Sequence, residues 1–239
     1  MAYEGQIAET ITLPGFHGDE IESYYARPMG AGPFPGVVLI HHMPGCDEWT
    51  KETVRRLAHH GYAAISPHLF ARHGPGSPDD VAARARAAGG LRDDEVMGDV
   101  AGAIAFLRGQ PQANGKIGII GFCSGGRHVY LAACTMDGID AAVDCWGGSV
   151  IVDDSSALNE RRPVAPITLT AQMRAPLLGI FGNDDQNPTV AHVNATEAEL
   201  KKHGKNYEFH RYDGAGHGFF AWTRPNYRQE QSVDAWTKI

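Results

Sequence analysis

At residues 116–127 the sequence reads KIGIIGFCSGGR. An apolar run rich in β-branched residues ends there in a glycine-framed cysteine, and a segment typical of a helix follows directly. This is the pattern G-x-nucleophile-x-G, in which a sharp strand-to-helix turn lifts one side chain above the edge of a sheet. Glycines suit such a turn because the central residue is strained and its neighbours must pack without Cβ clashes. The pattern predicts that Cys123, standing where most such enzymes hold serine, is a nucleophile.

The flanking sequence predicts an α/β fold. Apolar runs followed by helical periodicity indicate strands that alternate with helices, which is typical of a mostly parallel sheet. We expect one domain spanning residues 1–239, with about eight strands, flanking helices and an antiparallel hairpin at the N-terminus. The predicted strands are 9–13, 23–28, 36–42, 62–67, 116–121, 140–146, 176–182 and 207–212. A C-terminal amphipathic helix from about residue 227 is expected to carry Val233, Trp236 and Ile239 on one side.

Charge and composition exclude several classes of partner. The formal net charge is −7, which argues against nucleic acid or an anionic membrane as a partner. The N-terminal residues carry no signal-peptide pattern, and we find no run of 18 apolar residues, so we expect no membrane span. The four cysteines show no C-x-x-C spacing and fit free thiols in a reducing cytoplasm.

Three strand ends present a nucleophile, an acid and a base in that chain order. Cys123, the pair Asp184-Asp185 and His217 each follow a predicted strand. Because functional residues gather at the carboxyl ends of parallel strands, we expect them to meet. The order is the one expected of an α/β-hydrolase arrangement. Of the two aspartates, we favour Asp185 as the acid and take Asp184 as a loop residue.

Each role has a chemical reason. A thiolate, not a thiol, attacks a carbonyl carbon, so Cys123 needs a nearby imidazole and a helix N-terminus. His217 transfers the proton, and Asp185 fixes its tautomer. The backbone N–H groups of Ser124 and Met43 are the predicted oxyanion donors.

Other reactive side chains have simpler interpretations. Cys134 and Cys145 lie in apolar surroundings typical of buried structural thiols. The adjacent histidines His41 and His42 face opposite sides of a strand and are poorly placed to share a metal ion, so we expect no metal site.

The motifs together resemble those of the dienelactone hydrolase family, and the resemblance covers nearly the whole chain. The matching pieces are Gly121-Phe-Cys-Ser-Gly-Gly126, Gly182-Asn-Asp-Asp185 and Gly216-His217-Gly-Phe219. The resemblance implies an α/β-hydrolase fold and a Cys-Asp-His triad that hydrolyses esters or lactones. It implies no metal and no organic cofactor. The namesake substrate of the family is dienelactone, an intermediate in the catabolism of aromatic compounds.

The sequence departs from the family pattern at two places. A Glu that helps to activate the thiol in the best-known members falls on His42 here, which makes His42 a candidate thiol partner. Classical members bind a substrate carboxylate with arginines, one of them shortly after the catalytic histidine. The matching offset is Ala221, although Arg224 lies close by, and Arg84 or Arg86 is a candidate for the other cation. All three arginines are interpreted equally well as solvated surface groups that do not bind substrate.

We therefore expect a cytoplasmic carboxylic ester hydrolase, acting on a small-molecule ester or lactone through an acyl-enzyme, as a monomer or small homo-oligomer. Trp146 and Phe219 are candidates to line its substrate pocket. The alternatives are a general carboxylesterase or thioesterase, and a non-catalytic binding protein that has kept the hydrolase fold.

Overall fold

The computed structural model describes residues 5–239; the first four residues, on which the reasoning about a signal peptide partly rests, lie outside the described part. Within it the strands are Gln6–Pro14 (β1), Glu20–Pro28 (β2), Phe34–Ile40 (β3), Ala63–Pro67 (β4), Ala113–Phe122 (β5), Ala141–Cys145 (β6), Leu177–Gly182 (β7) and Tyr207–Tyr212 (β8). The α-helices are Glu48–His59 (α1), Pro78–Ala87 (α2), Asp93–Arg108 (α3), Ser124–Thr135 (α4), Val190–Lys202 (α5) and Gln229–Lys238 (α6).

The eight strands form one sheet in the order β1-β2-β4-β3-β5-β6-β7-β8. β1 pairs antiparallel with β2, and β2 antiparallel with β4. The pairs β3–β4, β6–β7 and β7–β8 are parallel. The predicted fold class, a mostly parallel sheet with an antiparallel N-terminal hairpin, is therefore confirmed.

The chain separates into two compact units. The first unit runs to Ile119 and includes Asn159–Pro163, and the second comprises Ile120–Leu158 and Val164–Ile239. That residues 1–239 form a single domain stays a prediction.

No helix within residues 5–239 is long and apolar enough to cross a bilayer.

In the first unit, α3 packs closely against the N-terminal hairpin because two of its residues are glycines. A Cβ on Gly102 would lie 2.0 Å from the carbonyl oxygen of Pro14, and one on Gly98 would lie 2.7 Å from the Cβ of Phe16. Neither neighbour can move away easily, because the contacts are with the backbone of Pro14 and with the Cα and Cβ atoms of Phe16. The small side chains are thus required for this close approach.

A buried ion pair ties the same hairpin to the segment after β4. Asp99 on α3 is fully buried and accepts two hydrogen bonds from the Arg72 guanidinium, at 2.8 and 2.9 Å. It also accepts the Phe16 backbone N–H at 2.9 Å, while Arg72 donates to Asp19 at 2.7 Å. The Asp99 carboxylate therefore joins α3 both to Phe16, between β1 and β2, and to Arg72, after β4.

We expect Asp99→Asn to lower the free energy of unfolding by about 3 kcal/mol, because it leaves the Arg72 charge without its buried counterion. Denaturant unfolding with urea measures this change. Asp94→Asn is the matched control: it also breaks an aspartate–arginine pair on α3, with Arg92 at 2.9 Å, but both side chains are partly exposed. That control should change stability by less than about 1 kcal/mol. Equal effects of the two variants would contradict the prediction.

In the second unit, α4 is almost entirely buried, as expected of the helix that follows the nucleophile turn. The long segment between β6 and β7 contains a 3-10 helix at Pro166–Gln172. That helix packs on α4, where the Tyr130 hydroxyl and Thr170 Oγ1 are 2.7 Å apart. The segment therefore carries more local structure than its proline content indicates.

The C-terminal helix α6 buries a polar residue. Ser232 and Ala235 are buried, while Val233, which lies on the predicted apolar side, is 56% exposed. The Ser232 hydroxyl donates to the Phe219 carbonyl at 2.9 Å, which turns this polar side chain inward. Trp236 does face the protein, with its ring 5.5 Å from that of Phe220.

Candidate active site

The turn between β5 and α4 holds Cys123 in the left-handed region, at φ 56°. A non-glycine residue adopts this conformation rarely and at a cost. The turn is closed tightly, because a Cβ on Gly121 would lie 2.2 Å from the Gly125 carbonyl oxygen. The Cys123 backbone N–H donates to the Cys145 carbonyl at 3.0 Å, which anchors the turn to β6. The thiol is thus presented by a rigid and half-buried corner.

The ends of β7 and β8 are brought together by their backbones. A Cβ on Gly182 would lie 2.2 Å from the Ala215 carbonyl oxygen, so only glycine permits this approach. The backbone N–H of Asp184 donates to the same carbonyl at 2.9 Å, and that of Asn183 to the Tyr212 carbonyl at 2.9 Å. The two loops that carry the predicted acid and base are therefore held side by side.

Asp185 and His217 form a hydrogen-bonded pair. The Nδ1 atom of His217 lies 2.9 Å from Oδ2 of Asp185, whose other oxygen accepts the Asn187 backbone N–H at 2.8 Å. Asp185 is only 4% exposed, whereas Asp184 is exposed. A carboxylate at Nδ1 fixes the tautomer in which that nitrogen carries the proton, which leaves Nε2 to exchange one.

His217 also forms a side-chain hydrogen bond with Cys123. Burial lowers the pKa of His217, but the hydrogen bonds to Asp185 and Cys123 and the charges of both groups outweigh burial and raise it to about 10. The second unit therefore contains a continuous chain of contacts from carboxylate through imidazole to thiol. Such a chain favours the imidazolium that accompanies a thiolate.

Asn226 supports the histidine and was not identified from the sequence. Its side-chain amide donates to the His217 carbonyl, across a turn in which Gly218 has φ 72°. A single asparagine in an irregular segment gives no sequence signal for such a contact. Only the folded chain brings it back over the histidine.

The predicted oxyanion donors lie in different units. Ser124 is the first residue of α4, where backbone N–H groups have no intrahelical acceptor and can bind an anion. Its hydroxyl oxygen is buried and has no hydrogen-bond partner among residues 5–239. Met43 lies in the first unit, in a turn after β3 that is closed by the Gly45 N–H and the His42 carbonyl at 2.9 Å. The role of Met43 stays a prediction.

His42 has an acidic partner that the sequence analysis missed. Its Nε2 atom lies 2.9 Å from Oδ2 of Asp47, and its ring is 4.9 Å from that of Trp49. Asp47 also caps α1 by accepting the Thr50 backbone N–H at 2.9 Å. Burial raises the pKa of Asp47, but the His42 and Thr50 hydrogen bonds outweigh it and lower that pKa. The available signal was the residue type, since aspartate is favoured at the position that caps a helix N-terminus.

His41, the neighbour of His42, has a structural environment. It is fully buried, with Nδ1 2.8 Å from the His42 carbonyl and Nε2 3.1 Å from the Leu69 backbone N–H. Burial lowers its pKa to about 3. The two histidines thus have separate partners, and among residues 5–239 no group of three or more His, Cys, Asp or Glu side chains has a metal-binding arrangement.

The predicted substrate-binding arginines occupy exposed positions. Arg84 donates to the backbone carbonyls of His73 at 2.8 Å and Pro75 at 2.6 Å, so its guanidinium also holds a loop. Arg86 and Arg224 are exposed. Substrate binding by any of the three stays a prediction.

The predicted pocket aromatics Trp146 and Phe219 are 2% and 0% exposed. Their rings are 5.1 Å apart, within a cluster that also contains Phe122 and Phe220. Both side chains therefore belong to the core of the second unit, and their contact with substrate stays a prediction.

Comparisons with known proteins identify relatives of this chain. The model of the “Dienelactone hydrolase family” matches residues 21–239. A protein of Methylorubrum extorquens named “Putative carboxymethylenebutenolidase” is 36% identical over 244 residues, covering 98% of this chain and 80% of the relative. A Bradyrhizobium protein named “Probable 2-oxo-3-(5-oxofuran-2-ylidene)propanoate lactonase” is 30% identical over 238 residues, covering 95% and 92%.

A solved structure shares the fold over almost its whole length. It is the “Putative Dienelactone Hydrolase” from Klebsiella pneumoniae, which superposes with a TM-score of 0.89 at 28% identity. The superposition covers 98% of this chain and 97% of that one.

Proposed function

The chain belongs to the dienelactone hydrolase family, a family of hydrolases, and from this premise we propose that it cleaves a small ester or lactone through Cys123, His217 and Asp185. The observation that carries the proposal is the chain of contacts from Asp185 through His217 to Cys123 within one compact unit.

The first half of the reaction would form an acyl-enzyme. His217 takes the Cys123 proton, and the thiolate attacks the substrate carbonyl carbon to give a tetrahedral intermediate. The Ser124 backbone N–H would hold the oxyanion, with Met43 as the second proposed donor. When the carbon–oxygen bond breaks, His217 returns its proton to the departing alcohol oxygen. In a lactone that oxygen belongs to the same molecule, so the ring opens.

The second half would release the acid. His217 removes a proton from a water molecule as that water attacks the thioester, and the tetrahedral intermediate then expels the Cys123 thiolate. His217 then passes this proton to the Cys123 thiolate, which restores the thiol and the neutral imidazole and leaves the carboxylic acid as product. Asp185 stabilises the imidazolium during both halves, because its carboxylate faces Nδ1.

The substrate class is proposed from the relatives. The lactonase name of the Bradyrhizobium relative supports a lactone, and the carboxymethylenebutenolidase names support the same class. The candidate thiol partner His42, the cytoplasmic location and the monomeric or small homo-oligomeric state stay predictions.

We expect Cys123 to react with iodoacetamide well before the other three cysteines at neutral pH, as read by mass spectrometry of the peptides. Burial raises the pKa of Cys46 to about 11 and that of Cys134 to about 12, and it raises the pKa of Cys145 as well. These thiols are therefore almost fully protonated, whereas Cys123 has an imidazole partner. Equal labelling of Cys46 and Cys123 would favour a non-catalytic binding protein.

The same preparation should be tested for turnover on small lactones, aryl esters and thioesters, each with and without a carboxylate. The proposal predicts that lactones and oxygen esters are hydrolysed and that the good substrates protect Cys123 from labelling. Cys46→Ala should leave both results unchanged. Turnover that leaves Cys123 labelling unaffected would contradict the proposal.

A further inference from the structure

Asp144 is a buried carboxyl group beside the nucleophile turn that the proposed mechanism does not use. It lies in β6, within the otherwise apolar run Ala-Ala-Val-Asp-Cys-Trp, and is 2% exposed. A carboxyl group in such a position costs free energy unless it is neutral or well paired. Its presence therefore needs a local explanation.

The carboxyl group contacts the first turn of α4. Its Oδ1 atom accepts the Gly147 backbone N–H at 2.7 Å and lies 2.3 Å from the position of a Cβ on Gly126. A Cβ on Gly147 would lie 2.6 Å from the Gly126 carbonyl carbon, so the two backbones are already in close contact. Trp146, the residue before Gly147, has φ 44°, which is strained for a residue with a side chain. Trp146 and Gly147 thus form a strained corner, and the Asp144 hydrogen bond holds this corner close to the turn that carries Cys123.

The protonation of this group changes near neutral pH. Burial raises the pKa of Asp144 to about 7, against the opposing effect of the Gly147 hydrogen bond. The group also lines a cavity of about 10 Å³, at the lower limit for one water molecule, together with Ser149 and Thr196. Below pH 7 the acid is mostly neutral, and above it the corner acquires a buried negative charge.

Titratable groups face Asp144 from each neighbouring element. Tyr130 on α4 and Cys145 on β6 both interact with its charge, which raises their pKa values further. His192 on α5 lines the same cavity and is paired with Asp153 at 3.0 Å. Tyr130 and Cys145 stay neutral at physiological pH, which leaves the His192–Asp153 pair as the competing source of any pH effect.

Resting on the proposed function, we propose that Asp144 is a positioning residue that makes the nucleophile sensitive to pH. In its neutral form it holds the corner at Gly147 against α4, and in its ionised form it opposes thiolate formation at Cys123.

The physical basis is competition for one helix end. The N-terminus of α4 carries a partial positive charge that stabilises a thiolate at the preceding residue. A carboxylate beside Gly126, one turn along the helix, offsets part of that charge. For two unit charges on the order of 10 Å apart at an effective dielectric constant of about 20, Coulomb's law gives a repulsion equivalent to about a tenfold change in thiolate population.

The test compares Asp144→Asn with Asp144→Ala. Asparagine keeps the acceptor for the Gly147 N–H but cannot ionise, whereas alanine removes the acceptor. The measured quantities are the rate of Cys123 alkylation and kcat/KM for the best ester or lactone, from pH 5.5 to 9. Asp153→Asn is the control, because it removes the charge that is paired with His192.

We expect Asp144→Asn to match the wild type at pH 6 and to alkylate about tenfold faster at pH 8.5. Asp144→Ala should be slower than Asp144→Asn at every pH, and Asp153→Asn should show a constant ratio to the wild type. A ratio for Asp144→Asn that does not change with pH, or a pH-dependent ratio for Asp153→Asn, would overturn the proposal.

A separate readout follows from linkage. A carboxyl group whose pKa is higher in the folded than in the unfolded state stabilises the fold below its unfolded value. That contribution is lost as pH rises through the folded value. Asp144→Asn should therefore gain melting temperature relative to the wild type between about pH 4 and 7, which a constant difference would contradict.

If neither variant folds, the wild type alone decides. Its Cys123 alkylation profile should then show a second inflection near neutral pH, and a single inflection would overturn the proposal. The two proposals fail in different experiments. Hydrolysis retained in Cys123→Ala would contradict the hydrolase mechanism. The proposal for Asp144 is tested by alkylation of Cys123, which requires no substrate.

Discussion

Replacing Cys123 with alanine is expected to lower kcat/KM for the proposed ester or lactone substrates by about four to six orders of magnitude. The variant removes the only atom that the mechanism bonds to the acyl group, so neither His217 nor Asp185 can compensate. Steady-state hydrolysis of the best substrate measures the loss. No acyl-enzyme should be seen by mass spectrometry when that substrate is mixed with the variant.

Two controls separate chemistry from damage to the fold. Cys46→Ala removes another half-buried thiol and should retain activity, because that thiol has a pKa of about 11 and no proposed role. His217→Ala should reproduce the loss seen in Cys123→Ala, since members of one catalytic unit are not additive. Turnover retained in Cys123→Ala or His217→Ala would refute the triad.

The second large effect is expected from Asp185→Asn, which should lower kcat by about three to four orders of magnitude. An asparagine amide that donates to Nδ1 would select the tautomer with the proton on Nε2, so His217 could no longer accept the thiol proton. The pKa of His217 should also fall, because the Asp185 hydrogen bond and charge help to raise it to about 10. NMR titration of the histidine measures that shift.

The neighbouring position provides a matched control. Asp184→Asn makes the same chemical change one residue away, at an exposed side chain. Asp184 joins the two loops through its backbone N–H, which the substitution leaves in place. It should leave kcat within a factor of about three of the wild type. Loss of activity in Asp184→Asn with Asp185→Asn active would reassign the acid.

Most of the fold could be predicted because the spacing of apolar residues along the sequence indicates which side chains of a strand or helix are buried. The predicted strands at 36–42 and 176–182 correspond to β3 and β7, whose side chains are mostly buried on both faces, although β3 ends at Ile40 and not at residue 42. The burial of Ser232 on α6 could not be predicted, because it depends on the hydrogen bond from the Ser232 hydroxyl to a backbone carbonyl. Periodicity ranks side chains by hydropathy and does not register such a partner.

The candidate site could be predicted where a close approach of the backbone requires glycine. Gly121 and Gly182 are such positions, and they precede Cys123 and Asp185 of the proposed triad by two and three residues. Asp47, Asn226 and Asp144 were missed because each acts through side-chain contacts made only in the folded chain. Single polar residues of this kind have no spacing that distinguishes them from surface residues.

The left-handed conformation of Cys123 has a consequence for mutational drift. A non-glycine side chain held there makes the fold less stable by about 1–3 kcal/mol than an unstrained residue would. Glycine would adopt the same angles without that penalty, so random substitution filtered for thermodynamic stability alone would tend to replace the cysteine. A thiol at this corner thus opposes the preference of the backbone, which is the pattern expected where stability is exchanged for reactivity.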